Sequence, residues 1–305
     1  MEAFYLARRP TMGILPVRYR GIRSRVAPGD AAFCTCMVRL YRVLFILVLV
    51  VLVSACATSP TGRSQLQFFP ESQMRSMGVE AYGQMKENEP VIERGAVVDY
   101  VECVAEAIIP QVPAAYAENG WEVTVFDSEQ INAFALPGGK IGVYTGLLAV
   151  AENQDQLAAV IGHEIAHVMA EHANERMSTQ FATTVGLGAL QVAAGDDPKR
   201  QELMAVLGVG AQVGVILPFS RLHESEADEI GLDLMARSGF DPEASVALWR
   251  NMAEASDNGP PAFLSTHPAR DRRIEDLQAG MPRALYLYEQ AVEAGRRPDC
   301  RRPAS

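Results

Sequence analysis

With 305 residues, 49% of them hydrophobic, the chain can bury a sizeable core in one or two domains. Its 37 acidic residues outnumber 27 basic ones, and a formal charge of −10 argues against nucleic acid as a partner. No internal repeat or low-complexity block breaks the chain into an array.

Residues 43–53 form a continuous apolar run behind Arg39 and Arg42. The run is too short to span a bilayer and has the shape of the apolar part of a signal peptide. It ends in Val53-Ser54-Ala55-Cys56, and small residues before a cysteine resemble a bacterial lipobox. That resemblance implies cleavage before Cys56 and lipidation of this cysteine. Ala57, not aspartate, comes next, which by the same resemblance implies anchoring on the periplasmic side of the outer membrane. A plain signal peptide or a short anchor helix is the alternative. Six arginines (Arg8, Arg9, Arg18, Arg20, Arg23 and Arg25) precede Met37. A translation start at Met37 would give a signal of ordinary length; a long basic leader is the other reading.

Removing residues 1–55 takes eight of the 27 basic and two of the 37 acidic residues, leaving 19 against 35 and a formal charge of −16. Such a body is repelled by anionic lipid. With Cys56 lipidated, Cys103 and Cys300 remain in an oxidising compartment and are expected to pair; two free thiols are the alternative.

Residues 58–65 read as a linker with turn residues Ser59, Pro60 and Gly62. Helices are predicted near 70–88 and 93–109, the second ended by Pro110 and Pro113. Residues 121–126 alternate as a strand does, and 131–136 and 140–144 read as two more around Pro137-Gly138-Gly139. A helix from Asp155 to Glu171 carries the apolar stripe Leu157, Ile161, Ile165 and Val168, capped by Asn153 or Asp155. Val160 on its other side makes it apolar nearly all round, as a core helix is.

Two apolar runs follow, 181–194 and 203–217, interrupted by residues 196–200. They read as a packed helical hairpin; a mobile lid or a surface dipping into a membrane is the alternative. A helix from Arg221 to Arg237 ends at Gly239, and Asp241-Pro242 opens another. Pro260-Pro261 breaks the chain, Thr266-His267-Pro268 leads into a charged helix, and a last helix covers about 283–295 before a loose tail after Pro298.

The chemistry lies in the 155–171 helix. His163 and His167 are four residues apart, so both imidazoles can reach one metal ion. Glu164 lies about 100° round the helix, able to reach a water on that metal without binding it. Two histidines and a glutamate in a core helix need partners, and zinc is the simplest. Catalytic zinc takes three protein ligands, so one more is sought. His172 lies five residues after His167, about 140° round the helix, and is expected to point elsewhere. The metzincin spacing would need glycine at 170 and histidine at 173, and both positions are alanine. In residues 220–228, Glu224 and Asp228 share one helix face, so one can bind metal while the other hydrogen-bonds a ligand histidine. Glu226 falls on the opposite face and is expected to be solvated.

His-Glu-Ile-Ala-His at 163–167 followed by Glu-Ser-Glu-Ala-Asp at 224–228 resembles the M48 gluzincin zinc metallopeptidases, over roughly residues 60–280. Thr61-Gly62-Arg63 behind the cysteine is similar to the bacterial envelope lipoprotein members. The resemblance implies an α+β zincin-like fold, mostly helical with a small sheet flanking the active-site helix. It implies one zinc per chain on His163, His167 and Glu224, with Glu164 as general base and Asp228 behind a ligand histidine. Asn132, Ala133 and Phe134 would belong to an edge strand that aligns substrate; a strand-end turn is the other reading of Asn132. His267 would be a fourth ligand that keeps the enzyme latent or a stabiliser of the oxyanion; a helix-entry histidine is the plain reading. His223 is not a position the motif specifies. The implied organisation is a signal peptide at 1–55, a lipidated N-terminus and linker at 56–66, the metalloprotease domain at 67–296 and a tail at 297–305. The implied role is endopeptidase action on misfolded or misassembled envelope proteins, at the membrane through the lipid anchor and near the outer-membrane assembly machinery. A chaperone or assembly factor using the same groove is the alternative, although binding alone does not need the base.

Overall fold

The computed structural model describes residues 42, 56–117, 120–194, 217–255, 261–267 and 272–303. The chain divides into units 1–54 and 55–305, and the elements below belong to the second. The expected signal peptide, the Met37 start and nearly all of the 203–217 run lie outside the described residues. Among the described residues no helix is long and apolar enough to cross a membrane.

In order, the elements are β1 (Cys56–Thr58), β2 (Ser64–Leu66), α1 (Glu71–Asn88), β3 (Val91–Ile92), α2 (Ala96–Ile108), α3 (Ala114–Ala117), β4 (Glu122–Phe126), β5 (Ala133–Leu136), β6 (Lys140–Tyr144), α4 (Gln154–Met169), α5 (His172–Ala194), α6 (Leu217–Arg237), α7 (Ala244–Glu254), α8 (Ala262–Thr266) and α9 (Arg273–Glu293). This is the α+β, mostly helical architecture with a small sheet before the motif helix. The sheet order is β3-β4-β6-β5, with β4 parallel to β6 and the other pairs antiparallel. β5 is therefore an edge strand.

α4 is the axis of the core. Asn153 caps it, its side chain accepting from the Gln156 N–H at 2.9 Å. Asp155 instead accepts from the Asp241 N–H at 2.9 Å. Every residue from Gln156 to Ala166 is buried. Leu157, Ile161 and Ile165 are fully enclosed, each contributing at most about 1.5–3 kcal/mol from burial.

α6 crosses α4 at a contact between backbones. A Cβ on Gly231 would lie 2.8 Å from the His163 N, and one on Gly162 would lie 2.9 Å from the Gly231 O. Glycine at both positions lets the helices approach until side chains two turns away on α6 reach the histidines of α4.

Four expectations change in the tertiary structure. Residues 56–66 are no free linker: they form the β1–β2 hairpin, which docks on the body. Arg63 reaches both Glu175 and Glu226, and Gln65 Nε2 donates to the Ala170 carbonyl at 2.6 Å. A short polar stretch looks like a linker only until buried carboxylates need its arginine. The tail after Pro298 is not loose: the expected Cys103–Cys300 disulfide forms across 197 residues and holds it. The Cys300 N–H donates to Gln154 Oε1 at 2.8 Å, and Arg302 reaches the Leu148 and Glu152 carbonyls. The last two predicted helices are one, α9, running through Pro282. Leu277, Met281 and Ala284, on both sides of the proline, are buried, and that shared packing face outweighs the lost hydrogen bond. α6 likewise starts before Pro218, which its first turn tolerates.

The 181–194 run is the second half of α5, where Phe181, Val185 and Val192 are exposed.

Gly231→Ala is expected to cost about 1–3 kcal/mol by forcing the two helices apart, read as a lower midpoint in urea with an unchanged slope. Cys300→Ser is expected to cost about 2–5 kcal/mol in the same measurement. Intact mass should show no free thiol at residues 103 and 300 before reduction and two after it.

Candidate metal centre

α4 presents His163, Glu164 and His167 on adjacent turns, and α6 brings Glu224 and Asp228 against them. His267, just after α8, closes the group. His163 Nε2 lies 3.0 Å from His167 Nε2 and 3.3 Å from Glu224 Oε2, and His167 Nε2 lies 3.4 Å from Glu224 Oε1. His267 Nδ1 is 3.2 Å from Glu224 Oε1 and 3.4 Å from His163 Nε2. One ligand atom from each of the four residues lies within 4.8 Å of all the others. Imidazole nitrogens and a carboxylate oxygen converging in a buried site make a donor set that suits zinc. The residues fit such an ion by a second sign also: buried Glu164 Oε1, beside them, has no hydrogen-bond partner among the described residues.

Each ligand candidate is braced from behind. His163 Nδ1 lies 3.0 Å from Asp228 Oδ1. Arg273 is buried, with Nη2 donating to Asp228 Oδ1 at 2.6 Å and Nη1 to Glu224 Oε2 at 3.3 Å. Its guanidinium lies 3.3 Å from the centroid of Trp249, a cation–π contact. Sequence reading missed Arg273, which is one of three arginines at 270, 272 and 273 with nothing to single it out. Glu164 Oε2 accepts from the Ala135 N–H at 3.2 Å, which ties the motif to the edge of β5. Phe263 stacks on the His267 ring with centroids 4.5 Å apart.

Burial disfavours charge throughout, and neighbours decide the outcome. At His163, hydrogen bonds to Asp228 and Glu224 outweigh burial and lift the pKa to about 9. At His167, burial and the adjacent His163 push it well below the ordinary value. Burial raises Glu164, the direction that suits a general base. Glu224 is held well below the usual range, because hydrogen bonds to His163 and His267 outweigh burial.

Two residues placed away from the site by helical geometry are corrected. His172 does not point elsewhere: its Nδ1 is 2.8 Å from His167 Nδ1. An offset of 140° requires one continuous helix, but α4 stops at Met169 and Glu171 takes φ +50°, so His172 begins a new helix. Glu226 is not solvated but 5% exposed, bonded to Arg63, Thr61 and His172. The opposite face of α6 is covered by the hairpin and α5, which no local pattern reveals. His223 is buried too, its Nε2 3.0 Å from Glu175 Oε2 and its ring stacked on His172 at 4.4 Å.

A cavity of about 490 Å³ opens over the cluster, lined along one side by residues 132–139 and on the other by Glu164, His167, Glu224 and His267. Ala133 is buried, the Phe134 ring packs against Phe126 and Tyr144, and Asn132 Oδ1 is buried without a hydrogen-bond partner among the described residues. The Ala135 N–H of β5 faces the cluster.

The model of peptidase family M48 matches residues 97–280. The chain is 38% identical to the mitochondrial metalloendopeptidase OMA1 of Schizosaccharomyces pombe, over 62% of this chain and 55% of that protein. It is 35% identical to the mitochondrial metalloendopeptidase OMA1 of Bos taurus, over 75% of this chain and 46% of that one. It is 31% identical to the beta-barrel assembly-enhancing protease of Yersinia pestis, over 68% of this chain and 43% of that one. The chain thus spans about half the length of the curated relatives it matches.

These matches correct the localisation expected from the leader, the periplasmic side of the outer membrane. Relatives at 38% and 35% identity are named as mitochondrial, and the bacterial one is less similar at 31%. The lipobox reading rested on four residues, 53–56, whereas the similarity extends through the domain that holds the site. The motif helix, the glutamate brought to it by α6 and the family match together place this chain in peptidase family M48, among the metallopeptidases.

Proposed function

We propose that the chain is a zinc-dependent endopeptidase that cleaves extended segments of misfolded or misassembled proteins. The observation that carries this reading is the convergence of His163, His167 and Glu224 beside a buried Glu164 at the edge of a sheet. Zinc held by those three residues would supply a Lewis acid, polarising the scissile carbonyl and letting water lose a proton near neutral pH.

The chain's own residues supply the rest. Glu164 is anchored through Oε2 by the Ala135 N–H, while Oε1 has no hydrogen-bond partner among the described residues. Oε1 is therefore the atom placed to take the proton of the attacking water and return it to the leaving amine. Its raised pKa makes it a stronger base than an exposed carboxylate. β5 is an edge strand whose outer side faces this carboxylate, so an extended substrate can add to the sheet and bring one peptide bond over the site. Backbone pairing asks for an unpaired strand and little else, which suits unfolded segments.

His267 sits with Nδ1 among the ligand atoms and Nε2 3.4 Å from Glu164 Oε1. This position favours its reading as a closing ligand that holds the site latent.

Cleavage of an unfolded protein by wild type and Glu164→Gln is the first test, with zinc measured on both. Both should hold one zinc per chain, and turnover should fall about 10²–10⁴-fold in the variant. Chelation should abolish wild-type cleavage and zinc should restore it. Equal cleavage by both forms would remove the role of Glu164, and zinc-free protein that cleaves normally would remove the metal. His267→Ala is expected to raise turnover and weaken zinc binding. A fall in kcat at unchanged zinc affinity would instead assign it to the oxyanion.

A further inference from the structure

The two histidines of the motif are supported from behind in different ways. His163 has a carboxylate directly on Nδ1, from Asp228. His167 has another imidazole there: His172 Nδ1, at 2.8 Å. His172 Nε2 in turn lies 3.2 Å from Glu226 Oε2. Arg63 grips Glu226 through Nε and Nη2, at 2.9 and 2.7 Å, and Glu175 through both terminal nitrogens at 2.7 Å. His223 completes the group, stacked on His172 and bonded to Glu175. His172, Glu226, Glu175 and His223 are buried, and Arg63 comes from the docked β1–β2 hairpin.

Only one proton arrangement satisfies this chain of contacts if His167 coordinates through Nε2. A ligating Nε2 keeps its lone pair for the metal, so the proton of neutral His167 sits on Nδ1. It can then donate only to a lone pair on His172 Nδ1. That leaves the His172 proton on Nε2, where it donates to Glu226. The arginine fork and the Thr61 hydroxyl keep Glu226 an acceptor.

We propose that His172 is a positioning residue for His167, backed by Glu226 and Arg63, so that the N-terminal hairpin forms part of the support of the metal site. This inference rests on the zinc reading above. The relay orients the His167 ring and fixes its tautomer, as Asp228 does directly for His163, and support of this kind is worth about 10–100-fold in metal affinity. It makes no contact with substrate.

The test uses the full chain loaded with zinc. Competition with a chromogenic chelator gives the affinity, and Co²⁺ substitution gives a ligand-field spectrum. His172→Phe keeps the ring and loses the acceptor; it is expected to bind zinc about 10–100-fold more weakly and to shift the Co²⁺ bands. On an unfolded substrate its kcat should fall while KM holds. His172→Asn, whose Oδ1 falls near the Nδ1 position, should recover most of the affinity. Nitrogen-15 NMR of the zinc-loaded wild type checks the relay without any variant: His167 should carry its proton on Nδ1 and His172 on Nε2. A His172 proton on Nδ1, or unchanged affinity and Co²⁺ spectrum in His172→Phe, overturns the relay and leaves the zinc reading intact. A wild-type chain that takes up no zinc overturns both.

Discussion

The backbone contact between α4 and α6 at Gly162 and Gly231 is the constraint on which the site depends. A metal ion needs donors from more than one segment within a few ångströms, and helices separated by ordinary side chains keep their axes about 8–10 Å apart. With no Cβ between them here, α6 lies close enough for Glu224 to reach both motif histidines and for Asp228 to reach behind one of them. The burial of α4 on nearly all sides holds that crossing in place. The same burial makes each polar group in the helix dependent on a partner.

Those partners form two connected sets. On one side Asp228 and Arg273 brace His163, with Arg273 packed over Trp249. On the other side His172, Glu226, Glu175, His223 and Arg63 stand behind His167. Removing a single member of such a set strands a buried charge or an unpaired donor, which costs more than the pair itself contributes. Residues far apart in sequence, from the hairpin at 56–66 to the start of α9, are thereby tied to one site. The groove follows from the sheet: β5 is left at the edge, and Ala135 offers its N–H to Glu164 instead of to another strand.

Much of the site was legible in the chain. The i and i+4 spacing of His163 and His167 is a property of any α-helix, and so is the shared face of Glu224 and Asp228. The strand at 121–126 follows from period-two alternation and the next two from the Pro137-Gly138-Gly139 turn signal, and the Cys103–Cys300 bond matches the pairing expected from cysteine count. Local rules failed where continuity or exposure was assumed. His172 points away only if the motif helix continues, and it breaks at Glu171; Glu226 has an open face only within its own helix, and other elements cover it.

Sequence alone therefore determined the residue types that meet at the site, their spacing and the family, because those are written in periods of a few residues. It could not decide which polar residues are buried. His172, Glu226 and Arg273 look like surface charges in any local window. Only the packing of the hairpin, α5 and α9 against α4 and α6 removes their water, and with it gone, each must find its partner inside the protein.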